Sequence, residues 1–99
     1  MIDYDQALRA ARAYMLNIVT NVEASDLRIM EDRVREFEFG WVFPFNHRIY
    51  LERGDYRYQL AGNLPIVVLR GTGEVRRLHQ EPWETIDSAI AALAGSMKR

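Results

Sequence analysis

The residues of this 99-residue chain that could do chemistry are few: His47 and His79, the serines Ser25, Ser88 and Ser96, and the close carboxylates Glu36 and Glu38. Two histidines lack a third ligand type at a recognisable zinc spacing, and Asp55 or Glu81 would have to complete such a site in space. None of the serines lies in a Gly-x-Ser-x-Gly elbow. Glu36 and Glu38 lie two apart on one face of a strand, whereas glycoside hydrolysis needs two carboxylates across a cleft. Gly71-Thr72-Gly73 lacks the third glycine and the amphipathic helix of a nucleotide-binding loop. With no cysteine, structural disulfides, thiolate nucleophiles and Cys-ligated zinc are excluded. No catalytic residue, cofactor site or metal site is expected, and the chain does not read as an enzyme.

Interaction chemistry is better represented. Arg53, Asp55, Tyr56, Arg57 and Tyr58 fall together in residues 46–64, a stretch of weak periodicity that reads as a long irregular loop. Tyr and Arg are the residue types that anchor protein interfaces. These five are the expected partner-binding residues, with Glu52 and Asp55 steering a basic partner. Lys98 is the only lysine, so the positive charge is nearly all arginine. A base composition rich in G and C would produce that bias, and so would an Arg-rich interface.

The bulk properties bound the rest. The formal net charge of −1 gives no electrostatic basis for non-specific nucleic-acid binding. The start Met-Ile-Asp-Tyr-Asp has neither the basic nor the apolar part of a secretory signal, and no apolar run reaches membrane-spanning length. A cytoplasmic protein is expected, with residues 1–99 forming one domain.

The elements follow from periodicity. Residues 3–21 read as a helix, with Asp3 as N-cap, Gln6 completing a capping box, and a stripe of Tyr4, Leu8, Ala11, Met15, Ile18 and Val22. Residues 27–31 read as a short strand. In residues 36–46 every second residue is aromatic (Phe37, Phe39, Trp41, Phe43, Phe45), which predicts one long strand over 34–45 with five rings on a single buried face. Gly40 within it signals a bulge or a close approach, and Pro44 an edge or a strand end. Residues 65–69 are apolar throughout and read as a strand buried on both faces, returning through a turn at 70–73 to a partner strand over 74–78. Pro82 is expected in the first turn of a last helix, with a stripe of Trp83, Ile86, Ile90, Leu93 and Met97 and a stop at Gly95.

The strings Gly40-Trp41-Val42-Phe43-Pro44-Phe45, Tyr50-Leu51, Gly54-Asp55, Leu60-Ala61-Gly62-Asn63-Leu64-Pro65-Ile66-Val67-Val68 and Thr72-Gly73-Glu74-Val75 resemble, in order and spacing, the immunity protein 35 family, also called YrhB-like. Pro44 stands where that family usually carries an aromatic. The resemblance implies a bacterial α+β domain: an N-terminal helix, an antiparallel sheet of about four strands and a C-terminal helix, with the helices packed on one face of the sheet. It implies a cytoplasmic immunity protein of a polymorphic toxin system, which binds a cognate protein toxin and neutralises it by occluding its active site. The alternative it implies is a stand-alone holdase with a chaperone-like role. It carries no catalytic residues. Gly40, Trp41, Phe43, Leu60, Ala61, Gly62, Asn63 and Pro65 match as framework. Self-association into a homodimer, through an edge strand or the helix stripes, is a third arrangement; no nucleic-acid or membrane partner is expected.

Overall fold

The computed structural model describes residues 1–60 and 63–97. Ala61 and Gly62 of the family-like string, and Lys98, lie outside the described residues.

Helix α1 (Tyr4–Ile18) begins as its sequence dictates. The Asp3 carboxylate accepts the Gln6 N–H at 2.8 Å, and the Gln6 amide oxygen accepts the Asp3 N–H at 2.9 Å. This reciprocal pair satisfies donors that the first helical turn leaves free. Ala7, Ala11 and Met15, four residues apart, are the buried face. Strand β1 (Leu27–Ile29) follows, with Leu27 and Ile29 buried.

The aromatic stretch is three strands, where alternation predicts one. Strand β2 (Arg35–Phe37) turns at Glu38 and Phe39 into β3 (Gly40–Phe43), and Pro44 separates β3 from β4 (Phe45–His47). Strands β5 (Ile66–Leu69) and β6 (Val75–Arg77) form the expected hairpin. All pairing is antiparallel: a four-stranded sheet in the order β2-β3-β5-β6 and a two-stranded sheet of β1 and β4.

The hairpin register divides the five rings. Glu36 pairs with Trp41, and Phe37 pairs with Gly40, so Phe37 faces the same side as Val42 and the side opposite Trp41. Trp41, Phe43 and Phe45 enter a core with Ala7, Ala11, Met15, Ile66 and Val68, under α1. Phe37 and Phe39, stacked at 5.1 Å between ring centroids, border a second core of Val42, Val67, Leu69, Leu78, Ala89 and Ile90. Ala89 and Ile90 belong to the last helix, α3 (Ile86–Met97). The α+β class and the terminal helices are as expected, but the helices cover opposite faces of the sheet rather than one. The physical cause is that β3 and β5 are apolar at every position, so each has two faces to cover.

Gly40 is the close approach anticipated above. Its φ is +146°, and a Cβ there would lie 2.0 Å from the Val68 carbonyl oxygen. Arg70 locks the same hairpin. Its guanidinium donates to Glu36 and to the Phe37 carbonyl, both at 2.8 Å, and lies 4.3 Å from the Trp41 ring centroid.

The C-terminal expectations need three corrections. Helix α3 starts at Ile86, after Thr85, whose hydroxyl accepts the Ser88 N–H at 3.0 Å, so Pro82 is not in its first turn. Trp83 lies ahead of the helix and is 82% exposed instead of heading its apolar stripe. Gly95 lies inside α3 and does not end it. Among the described residues, no helix is long and apolar enough to cross a membrane.

Candidate functional site: the Tyr/Arg loop

Residues 46–64 contain more regular structure than their weak periodicity predicts. Helix α2 (Arg48–Arg53) follows β4 directly, Gly54 ends it in the left-handed region at φ +67°, and a 3-10 turn spans Tyr56–Tyr58. A short helix escapes detection because six residues make fewer than two turns, too few for a 3.6-residue period to register.

Two buried polar residues found only in the structure hold this segment. The Asn46 side-chain oxygen accepts the N–H groups of His47, at 2.8 Å, and Leu60, at 3.0 Å. One amide thereby joins the two ends of the excursion and makes residues 46–60 a closed loop of the omega kind. Asn63 adds a side-chain bond to the Phe45 carbonyl. His47 caps α2, its Nδ1 accepting the Ile49 N–H at 3.1 Å. In the neutral ring Nε2 then carries the proton, and it lies 4.0 Å from Asp26. The Asp26 carboxylate takes two bonds from Arg48, at 2.9 and 3.1 Å. The sequence signal for Asn46 and His47 was the liking of Asn for caps and turns, but nothing in it joins position 46 to position 60.

The five expected partner-binding residues come together on this platform. Asp55 caps the 3-10 turn by accepting the Arg57 N–H at 3.1 Å, and Arg57 grips the same carboxylate with Nε at 3.0 Å and Nη2 at 2.7 Å. These bonds, then the nearby charge of Arg53, hold the Asp55 carboxyl below the usual range, and Asp55 in turn raises the pKa of Arg57. Tyr58 packs its ring 4.9 Å from His47, and Tyr56 lies 5.9 Å from Tyr50. Tyr56 is 78% exposed. Arg53 is exposed in the last turn of α2 and makes no hydrogen bond or ion pair among the described residues. Glu52 pairs with Arg48 at 3.3 Å. The two carboxylates expected to steer a partner are thus each engaged by an arginine of the same loop.

His47 is a helix cap under Tyr58, and His79 pairs with Glu81 at 2.8 Å on the exposed surface. Glu36 lies in β2, held by Arg70, and Glu38 lies in the β2–β3 turn. Among the described residues, no group of three or more His, Asp or Glu side chains is placed to hold a metal ion.

The model of one protein family, Immunity protein 35, matches residues 5–89. The chain belongs to the immunity protein 35 family. The match takes in α1, both sheets, the Tyr/Arg loop and the start of α3. A member of the curated set, the uncharacterized protein YrhB of Escherichia coli (strain K12), is 33% identical over 78 residues, which cover 79% of this chain and 76% of that protein. No solved structure matches the chain. Among the residues expected as framework, four have structural roles in the described residues. Gly40 admits the Val68 carbonyl, Trp41 and Phe43 fill the α1 core, and the Leu60 N–H closes the loop on Asn46. Pro44 stands at the break between β3 and β4 and offers its carbonyl to the Met30 N–H at 2.8 Å.

Proposed function

We propose that this immunity protein 35 member binds a cognate toxin in the bacterial cytoplasm and neutralises it by covering its active site or substrate groove. The family assignment over residues 5–89 carries this reading. The contact surface in this proposal is the Tyr/Arg loop, with Arg53, Tyr56, Arg57 and Tyr58 as anchors and Asp55 holding Arg57 in place. A loop closed by Asn46 and floored by His47 is ordered before binding, so less conformational entropy is lost when a partner docks. The decisive experiment is co-expression with a toxin domain, should a neighbouring gene encode one. Protection of cells by the native chain, and its loss in the Tyr56→Ala/Arg57→Ala/Tyr58→Ala variant, supports the proposal. Truncation of a true anchor removes about 2 kcal/mol or more of binding. Undiminished protection by a folded triple variant moves the contact surface elsewhere, and no protection by the native chain sinks the toxin reading.

A second reading, a holdase that shields unfolded clients, draws on two features. Trp83 is 82% exposed, and an open apolar groove of ≈ 820 Å³ runs between Phe37, Phe39 and Leu69 on the sheet and Ala94 and Met97 on α3. Suppression of thermal aggregation of unrelated proteins at near-stoichiometric ratios is its test, and absence of suppression removes it.

A further inference from the structure

The Tyr/Arg loop distributes its charges unevenly between inside and outside. Its carboxylates face the loop's own arginines. Asp55 is three-quarters buried beneath Arg57, and Asp26, outside the loop and just ahead of β1, is as deeply buried beneath Arg48. Arg48 turns in to Asp26, whereas Arg53 and Arg57 face outward. The Arg57 side chain is 83% exposed although Nε and Nη2 both hold Asp55, which leaves the far side of the guanidinium open. Arg53, with no bonded partner among the described residues, lies close enough to lower the pKa of the same Asp55 carboxyl. One shielded carboxylate therefore answers two guanidiniums. Glu52 is the loop's more exposed acid, and Arg48 draws it to the opposite end of α2 from Arg53. Between Arg53 and Arg57 in the chain stands Tyr56, the most exposed ring of the loop.

We infer that Arg53, Tyr56 and Arg57 form a cationic, ring-centred surface that docks a carboxylate-rich patch on a partner protein. The inference rests on the proposal that this loop is the contact surface, and it reverses the expected steering of a basic partner. Planar guanidiniums pair with carboxylates through two parallel N–H bonds, and the open side of Arg57 retains donors for one such contact. Tyr56 supplies the apolar area that charge pairs alone lack. The partner's carboxylates meet in Arg57 a guanidinium already held on one side by Asp55, and like charges on a basic partner would be repelled. A protein surface is favoured over nucleic acid because the whole chain carries a net charge of −1, which gives no electrostatic basis for general polyanion binding.

The test uses the intact protein, isotopically labelled, with three probes: a short Asp/Glu-rich peptide with a central phenylalanine, the same peptide with lysine in place of every acid, and a single-stranded oligothymidylate. The acidic peptide is expected to shift the amide signals of residues 53–58, and to lose affinity as salt rises from about 50 mM to about 500 mM. Arg53 makes no bond that folding needs, so Arg53→Gln keeps the spectrum of the native fold while weakening the peptide by about two- to fivefold. Shifts produced by the lysine peptide, or by none of the probes at millimolar concentration, overturn the inference. Equal binding of the oligothymidylate overturns it in favour of a general polyanion site. The toxin proposal fails separately, in the co-expression experiment, since peptide binding requires no toxin.

Discussion

The Asn46 side-chain oxygen accepts the backbone N–H of Leu60 at 3.0 Å across fourteen positions of sequence, and accepts the N–H of His47 beside it at 2.8 Å. A single buried amide thus fixes both where the Tyr/Arg loop leaves the β1–β4 sheet and where it returns. Replacing it by alanine strands two N–H groups in a site with little water. Asn46→Ala is expected to cost about 1–3 kcal/mol in denaturant unfolding and to raise hydrogen exchange at Leu60 and through residues 56–58. Asn46→Asp keeps the acceptor and is expected to restore most of the protection. Unchanged exchange in the alanine variant would show that the loop is held by other contacts.

Gly40 and Gly95 are expected to respond to alanine in opposite directions. At Gly40 the positive φ and the Val68 carbonyl together leave no room for a methyl group, and that carbonyl lies on the central strand. Gly40→Ala should destabilise by at least about 3 kcal/mol, enough to threaten folding of a marginally stable domain. Gly95 lies within α3, with nothing within 4 Å of a built Cβ. Gly95→Ala should stabilise by about 0.5–1 kcal/mol through helix propensity. Thermal unfolding of the two variants checks both signs.

Trp41 is 2% exposed, and its Nε1–H has no hydrogen-bond partner among the described residues. Tyr4 meets the ring edge-on at 6.5 Å and Arg70 covers it at 4.3 Å. Packing and the cation are therefore what Trp41 contributes, and the N–H opposes burial. Trp41→Phe removes the orphan donor and is expected to cost less than about 1.5 kcal/mol, whereas Trp41→Ala opens a cavity and is expected to cost about 3–5 kcal/mol. Comparable losses for both would point to a partner for the indole N–H.

Two ion pairs give pH dependences of opposite sign. Bonds from Arg57 depress the Asp55 pKa, so the pair's contribution is complete above the ordinary aspartate range, near pH 4, and is lost as pH falls through the depressed value. The side-chain resonances of Arg57 should move as pH falls into the acid range, and Asp55→Asn should abolish that titration. The hydrogen bond to Glu81, then its charge, raises the His79 pKa. That contribution is complete below about pH 6.5 and is lost as pH rises through the raised value. In Glu81→Gln the His79 titration, followed on its ring protons, should move down toward the ordinary histidine value.

Local order was legible in the residues themselves. The Asp3–Gln6 box set the start of α1, and the expected stripe contained Ala11 and Met15 of its buried face but not Ala7. The all-apolar 66–69 run, with its following turn, gave the β5–β6 hairpin. These features depend on neighbours within a few positions, where propensity, capping and period act directly. The Tyr/Arg composition of the loop was legible too. The tertiary structure alone decided what depends on pairing distant segments. Alternation over 37–45 records spacing, but a two-residue turn at Glu38 and Phe39 preserves that spacing while sending Phe37 and Phe39 to the face opposite Trp41. Hence the helices divide between two faces, as continuous apolarity on β3 and β5 requires. The same holds at the loop. Its residue types follow from the sequence, but the inward turn of Asp55, the outward turn of Arg53 and Arg57, and the tie from Asn46 to Leu60 exist only once the chain has closed on itself.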